Sequence, residues 1–473
     1  MYLIPVLGGT ERKLAQLASV SPAGPGGMPQ LSWSPDGRFI AVNGAAKEGE
    51  PIGTLLIPTE GGEPIRLTSL PPGFEAESFP AFSPDGARLA LVRFRTLFNG
   101  AVFVLSLDRD GTAKGALQAL TPDDWIIYGL DWWDNSTLVF SGRTGARDSL
   151  WKLSASGGGV PVALAYGNEA ATQPSVARHG NRLAFQKTEI DTNVWLLSGP
   201  GSGLPPTFPG NLVLASTRRD EGARFSSDGK KIVWVSEQSG TSDVWVADAD
   251  GSNQMQITNF PGIQVGSPRW SPDGTRIVFD AYAHGSSDIY IVGADGGKIR
   301  AVTSEPSNET RPSWSIDGKW IYFASNRSGR VEIWRAPAEG GAAVQVTHDG
   351  GGEAFSSPDG RSLFYTKTPV GPLWKQPIGG GIEERALDNV RSGMWGFGGS
   401  DLYWLAPASS DSVATISVLH LSTGRREEVY RFPKDLPLVT YGNPFAVSPD
   451  ARSFLINLLD RNDRDLMLVE NFR

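Results

Sequence analysis

The stretch Pro268-Arg269-Trp270-Ser271-Pro272-Asp273-Gly274-Thr275-Arg276-Ile277-Val278-Phe279 decides the fold. Its centre is a turn. Pro presets the backbone angle, Asp can bond its own backbone two residues on, and Gly accepts a left-handed conformation. The flanks are strands, because aromatic and β-branched residues fit a pleated, half-buried surface. Ser-Pro-Asp-Gly recurs at Ser34-Pro35-Asp36-Gly37, Ser83-Pro84-Asp85-Gly86 and Ser357-Pro358-Asp359-Gly360. Degenerate copies are Ser226-Ser227-Asp228-Gly229, Ser315-Ile316-Asp317-Gly318 and Ser448-Pro449-Asp450-Ala451. Successive turn aspartates at 228, 273, 317 and 359 stand 45, 44 and 42 residues apart. Self-similarity at this period marks a modular array.

A second marker keeps the same register. Fifteen residues after the turn Asp comes a polar, an aliphatic and an aromatic residue: Asp243-Val244-Trp245, Asp288-Ile289-Tyr290, Glu332-Ile333-Trp334 and Ser149-Leu150-Trp151. Eroded copies follow from that ruler, at Asp131-Trp132-Trp133-Asp134-Asn135, at 179–185 followed by Asn193-Val194-Trp195, and at 397–403. The spacing predicts ten units, each of four short strands. A single four-stranded sheet cannot bury both faces, so such units stack radially into a β-propeller. The fold class is therefore all-β.

The pattern resembles the TolB-like propeller repeat, also called PD40, over nearly the whole chain. The ending Asp465-Leu466-Met467-Leu468-Val469-Glu470-Asn471-Phe472-Arg473 is similar to the C-terminal tandem propeller of bacterial regulators that carry a winged-helix or kinase domain. That resemblance implies a binding or sensor module, with an effector domain and further blades upstream of this chain. TolB-like propellers use the axial opening as a partner-binding face, so a protein or peptide partner is expected there.

Ring closure reads as follows. Asp465-Leu466-Met467-Leu468-Val469 is expected as the third strand of the last unit, which then lacks a fourth. Residues 211–216 can supply it. This predicts units 1–199, a Pro/Gly-rich linker 200–210, and a six-bladed ring 211–473. The alternative is one ten-bladed ring closed by residues 13–17. Residues 2–6 read as a third strand, so the chain opens in mid-blade.

Composition narrows the function classes. The 57 Gly and 34 Pro suit a turn-rich chain, and the net charge of −8 offers no basic field for nucleic acid. With no Cys, disulfides, thiolate catalysis and Cys-based zinc sites are excluded. The first residues lack a charged segment and a long apolar core, so they are not a signal peptide. No stretch reaches the roughly 18 apolar residues of a membrane span. Location in the cytoplasm is expected of the chain as given, or in the periplasm if a leader precedes it.

No Gly-x-Ser-x-Gly elbow and no His-Glu-x-x-His are present. His179, His284, His348 and His420 fall in different units. Asp108-Arg109-Asp110-Gly111 and Asp248-Ala249-Asp250-Gly251 lack the further oxygen ligands of a calcium loop and read as hairpin turns. No cofactor and no metal site is expected. Candidate binding residues stand just before or within first strands: Glu77, Arg219, Glu221, Arg269, Glu309, Arg311 and Glu353, with Glu75 and Arg224 beside them. They read as a solvated, charged channel mouth. The chain is thus expected to be a non-catalytic scaffold. The alternative is a hydrolase or lyase with axial carboxylates.

Overall fold

The computed structural model describes all residues except 5–9, 21–29, 72–73, 75, 96–98, 124, 144–148, 167–169, 204–207, 209, 261–262, 284–285, 411 and 473. The described residues contain no α-helix; strands and turns account for the architecture, with one 3-10 turn at Pro200–Ser202. The chain forms two compact units, one of Met1–Glu189 with Asp463–Arg473 and one of Ile190–Asn462.

Each Ser-Pro-Asp-Gly turn is a closed local network. Ser34 Oγ donates to Asp36 Oδ1 at 2.7 Å, and the same oxygen accepts the Arg38 N–H at 3.1 Å. Phe39 N–H returns to Ser34 Oγ at 2.9 Å. Gly37 sits at φ +73°, where a side chain would be strained. The pattern repeats at Ser226–Asp228 and Ser315–Asp317. These hydrogen bonds from Ser and the backbone hold Asp36 and Asp273 at about 2. The most repeated carboxylates in the chain are therefore structural.

The second marker has an equally local cause. Thr258 Oγ1 donates to Asp243 Oδ1 at 2.8 Å while accepting Val244 N–H at 2.9 Å. Asp288 with Thr303 and Glu332 with Thr347 repeat it. The acid opening each third strand thus clamps the fourth.

Within Ile190–Asn462, five antiparallel sheets are built from consecutive strands, beginning at Asp220–Phe225, Gln264–Trp270, Glu309–Trp314, Glu353–Ser356 and Trp395–Gly398. A sixth sheet is composite. Its order is Phe445–Val447, residues 453–462, residues 190–198 and Asn211–Leu214. Apolar side chains pack sheet against sheet throughout. Val233 and Val246 meet Ile277 and Phe279; Val278 and Ile291 meet Trp314 and Phe323; Tyr322 meets Leu363. Phe364 meets Trp395, Tyr403 meets Phe454, and Leu455 and Val194 meet Ile232 and Trp234. The last contact brings the sixth sheet back to the first, so the six form a closed circuit and every sheet hides both faces.

The composite sheet corrects two sequence expectations. Asp465 to Val469 is not the third strand of the last sheet, and Asn193 to Trp195 does not fold back on 182–185. Ser453–Glu470 and Arg182–Ser198 are single strands of 18 and 17 residues. No turn interrupts either one, so neither segment can reverse onto its own first half. Residues 190–198 take the third place instead, and Asn211–Leu214 pairs with them as the fourth strand. Described residues 199–203, 208 and 210 fall inside this unit, between those two strands in the chain.

In the other unit, Leu31–Trp33 pairs with Phe39–Ala45, Ala76–Phe82 and Trp125–Asp134 belong to one eight-stranded sheet, and Ala171–Val176 pairs with residues 183–187. The hairpin Tyr2–Leu3 with Arg12–Lys13 packs Leu3 and Leu14 against Ile40 and Leu55. Residues 463–470 belong here, and Phe472 packs on Trp133, Leu183 and Phe185.

Candidate functional site

Three first strands of Ile190–Asn462 carry a bulge. Their register shifts between Glu221 and Arg224, Gly266 and Arg269, and Thr310 and Ser313. The extra residues Gly222, Ser267 and Arg311 adopt φ of +67°, +48° and +53°. A bulge re-aims the side chains beyond it. In Ile190–Asn462 the residues beyond the bulges line a cavity of about 410 Å³, to which all six inner strands contribute. The lining runs from mid-strand (Arg224, Arg269, Ser313, Phe355) out to the Ser-Pro-Asp-Gly turns, so the cavity opens on the turn side. Trp270, Trp314, Phe355, Trp395, Phe397 and Phe445 make its walls largely aromatic.

Charge collects at the deep end. Arg269 is nine-tenths buried, with its Nη2 3.3 Å from Glu353 Oε1 and its guanidinium 5.0 Å over the Phe355 ring. These residues come from the second and fourth sheets, so the pair bridges the axis. The other Glu353 oxygen accepts the Gly393 N–H at 2.6 Å. Arg224 Nη1 donates to the carbonyls of Ala223 and Asn443 at 2.9 and 3.1 Å. Asn443 Nδ2 donates to Ser267 Oγ at 3.1 Å, and Arg311 N–H to Asp280 Oδ1 at 3.1 Å. Burial pulls Arg269 down to about 10, and burial with the neighbouring Arg269 charge pulls Arg224 well down. Burial pushes the Asp280 carboxyl up. Three guanidinium groups thus face two carboxylates, one of them biased toward its neutral form.

The sequence-predicted residues fall in three places. Arg269, Arg311 and Glu353 converge on this axial cluster. Arg219 and Glu221 sit beside Glu237 and Tyr441, at the strand ends away from the turns. Glu309 acts within its own sheet, and Glu77 ties its sheet to the preceding one. Glu77 accepts Thr54 and Thr68 hydroxyls and pairs with Arg93 Nε at 2.8 Å. Glu309 Oε1 accepts Ser307 and Ser325 hydroxyls at 2.6 and 2.7 Å, with Arg327 Nη2 at 3.1 Å. Glu77, Glu309 and Glu353 are therefore buried, which corrects the solvated mouth read for them. Glu77 and Glu309 stand in cross-strand register with Arg93 and Ser325 and bond to neighbouring strands, whereas Glu353 reaches Arg269 across the axis.

Glu75 and His284 lie outside the described residues. His179 and His348 are exposed, and His420 bridges Asp401 and Glu427 at 2.7 and 3.1 Å. Asp110 and Asp250 bond Thr112 and Ser252 within their hairpins. Among the described residues no group of three or more His, Asp or Glu side chains is placed to hold a metal, and no helix is long and apolar enough to cross a membrane. Sequence reasoning missed Asp280, Asn443 and the aromatic walls. A usable signal existed: the position four before each turn Asp holds Arg224, Arg269, Ser313 and Phe355, and that position faces the axis.

Residues 211–376 match the family model described as the TolB beta propeller domain, PD40. No curated protein matches the chain. The chain is similar to the putative TolB from Agrobacterium tumefaciens, with 20% identity and a TM-score of 0.45 over 57% of this chain and 99% of that one. It is similar to TolB from Acinetobacter baumannii, with 16% identity and a TM-score of 0.40 over 72% and 81%. An oligogalacturonate lyase in complex with manganese shares 15% identity, with a TM-score of 0.25 over 72% and 85%. The chain carries TolB-type propeller repeats, and its fold is a multi-blade β-propeller.

Proposed function

We propose that this chain is a non-catalytic scaffold that holds a protein or peptide partner at the turn-side opening of Ile190–Asn462. One observation carries the reading: a cavity of about 410 Å³ with aromatic walls, drawn from six separate sheets, with no Asp or Glu among its described lining residues. Rigid aromatic walls around a few polar groups are what recognition sites use. Glycoside hydrolysis by the common route uses two carboxylates at the reacting bond. Here the nearest axial acid, Glu353, has both oxygens bonded. A sensory role in a bacterial transcriptional regulator, implied by the resemblance of the last nine residues, would take this binding event as its input.

Panning a random-peptide phage library on the purified chain tests the reading. Ile316 lies at the cavity mouth and is half exposed, so Ile316→Arg obstructs the opening without touching the core. Enriched peptides are expected to lose about tenfold or more in affinity for this variant. Unchanged affinity, or no enrichment at all, would end the proposal.

A further inference from the structure

Residues that line this cavity carry buried hydrogen-bond donors without acceptors. Arg269 Nη1, Trp270 Nε1, Trp395 Nε1 and Ser356 Oγ are all buried, all belong to lining residues, and none has a hydrogen-bond partner among the described residues. Guanidinium and indole nitrogens can only donate. The contrast with Trp314 is direct, since its Nε1 donates to the Arg269 carbonyl at 3.3 Å. No acid lines the cavity to answer these donors. Glu353 and Asp280 face three guanidinium groups, those of Arg224, Arg269 and Arg311, so positive charge is in excess even with both acids ionised. A buried cation that is only partly matched is costly, and an incoming anion relieves it.

Resting on the peptide-binding reading above, we infer that the cavity receives a carboxylate of the peptide, seated against Arg269 and Arg224 with an adjoining apolar side chain against Phe355, Trp395 and Phe397. A planar carboxylate matches the guanidinium fork and can take two of its N–H groups at once. A cavity near the lower end of the usual few-hundred-Å³ range for ligand sites holds about two residues of such a peptide. The carboxylate can be the chain terminus or an Asp or Glu side chain.

Three synthetic peptides separate the cases by calorimetric titration of the full chain: N-acetyl-Ala-Phe as the free acid, the same peptide as its C-terminal amide, and N-acetyl-Asp-Phe-amide. The free acid is expected to bind about tenfold or more tightly than the neutral amide, with the preference shrinking as salt rises. Should N-acetyl-Asp-Phe-amide bind as tightly as the free acid, or more so, a side-chain carboxylate is the source and the inference stands. Equal binding of the acid and both amides would overturn it and leave the peptide reading intact. Absence of binding by all three would remove both. Removing Arg269 outright strands Glu353, so Arg269→Lys is the protein-side variant. It keeps the charge and loses the fork, and it is expected to lower the acid-to-amide preference about tenfold. An unaltered preference in that variant would also overturn the inference.

Discussion

Two cavities in this molecule, one in each compact unit, use charge in opposite ways. In Met1–Glu189, a cavity of about 650 Å³ is lined by Trp33, Asp131, Trp132 and Arg178 among others. Asp131 is half-buried there, and both of its oxygens accept backbone N–H groups, from Trp132 and Val176, at 2.8 Å. Arg178 Nη2 donates to the Trp33 carbonyl at 3.4 Å. In Ile190–Asn462, Arg269 is more deeply placed and keeps one nitrogen unanswered. The first cavity uses its charge to hold strands together. The second retains donor capacity beyond what the fold requires. Volume alone would rank them the other way.

The largest effect expected from this contrast is at Glu353. Glu353→Gln removes the partner of a buried guanidinium and should cost about 3–5 kcal/mol. Calorimetry would register it as a lower unfolding temperature for the transition of Ile190–Asn462. An unmoved transition would mean that Arg269 does not depend on Glu353, and the comparison between the cavities would collapse.

Asp131 supplies the matching test on the other side. Burial pushes its carboxyl up to about 6, so the folded state favours the protonated form more than the unfolded chain does. Its burden on stability is therefore present at neutral pH and relieved as pH falls through about 6 toward the ordinary value near 3.8. The transition of Met1–Glu189 should rise between pH 7 and pH 5. Asp131→Asn should flatten that rise; a slope identical in both proteins would contradict the assignment.

Turn aspartates behave in the reverse sense and in both units alike. Asp36 and Asp273 are held at about 2, below their value in an unfolded chain, so their contribution is complete above about 4. It is lost as pH falls toward 2. Asp273→Ala should cost about 1–2 kcal/mol, from two or three lost hydrogen bonds at an exposed site. Denaturant titrations at pH 7 and pH 2.5 would show the cost at the higher pH and much less at the lower one. An effect of comparable size belongs to Gly274, at φ +70°, where an added methyl group would meet only Ser227 Oγ, at 3.8 Å. Gly274→Ala should cost about 1–2 kcal/mol through backbone conformation alone. A cost much above that would mean the turn is packed more tightly than its surroundings indicate.

Legibility in the sequence followed the range of the interaction. The turn network joins Ser271 to Asp273 and Thr275, and the clamp joins Asp243 to Thr258. Both act within one unit, so each copy writes the same residues at the same spacing. Arg269 and Glu353 were recognised as candidates only from their place before a turn or within a first strand. That they meet across the axis depends on two sheets that are not neighbours along the chain. Phe355 and Asn443 carry no marker at all, because what they do depends on which residues from other sheets face them.

Residue order alone determined a great deal here: the four-stranded unit, its turns, its apolar strands and hence an all-β propeller. The physical reason is that a hydrogen bond between residues two apart, or a clamp between adjacent strands, needs no partner beyond the unit. Only the tertiary structure decided which strand completes which sheet. Arg182–Ser198 and Ser453–Glu470 run straight where the repeat predicts reversal, and strand edges then pair across more than 250 residues of chain. Edge pairing selects by shape and exposed backbone groups, and those exist only once neighbouring sheets have formed. The same holds for the axial charge, whose balance is set by side chains that the closed circuit of sheets brings face to face.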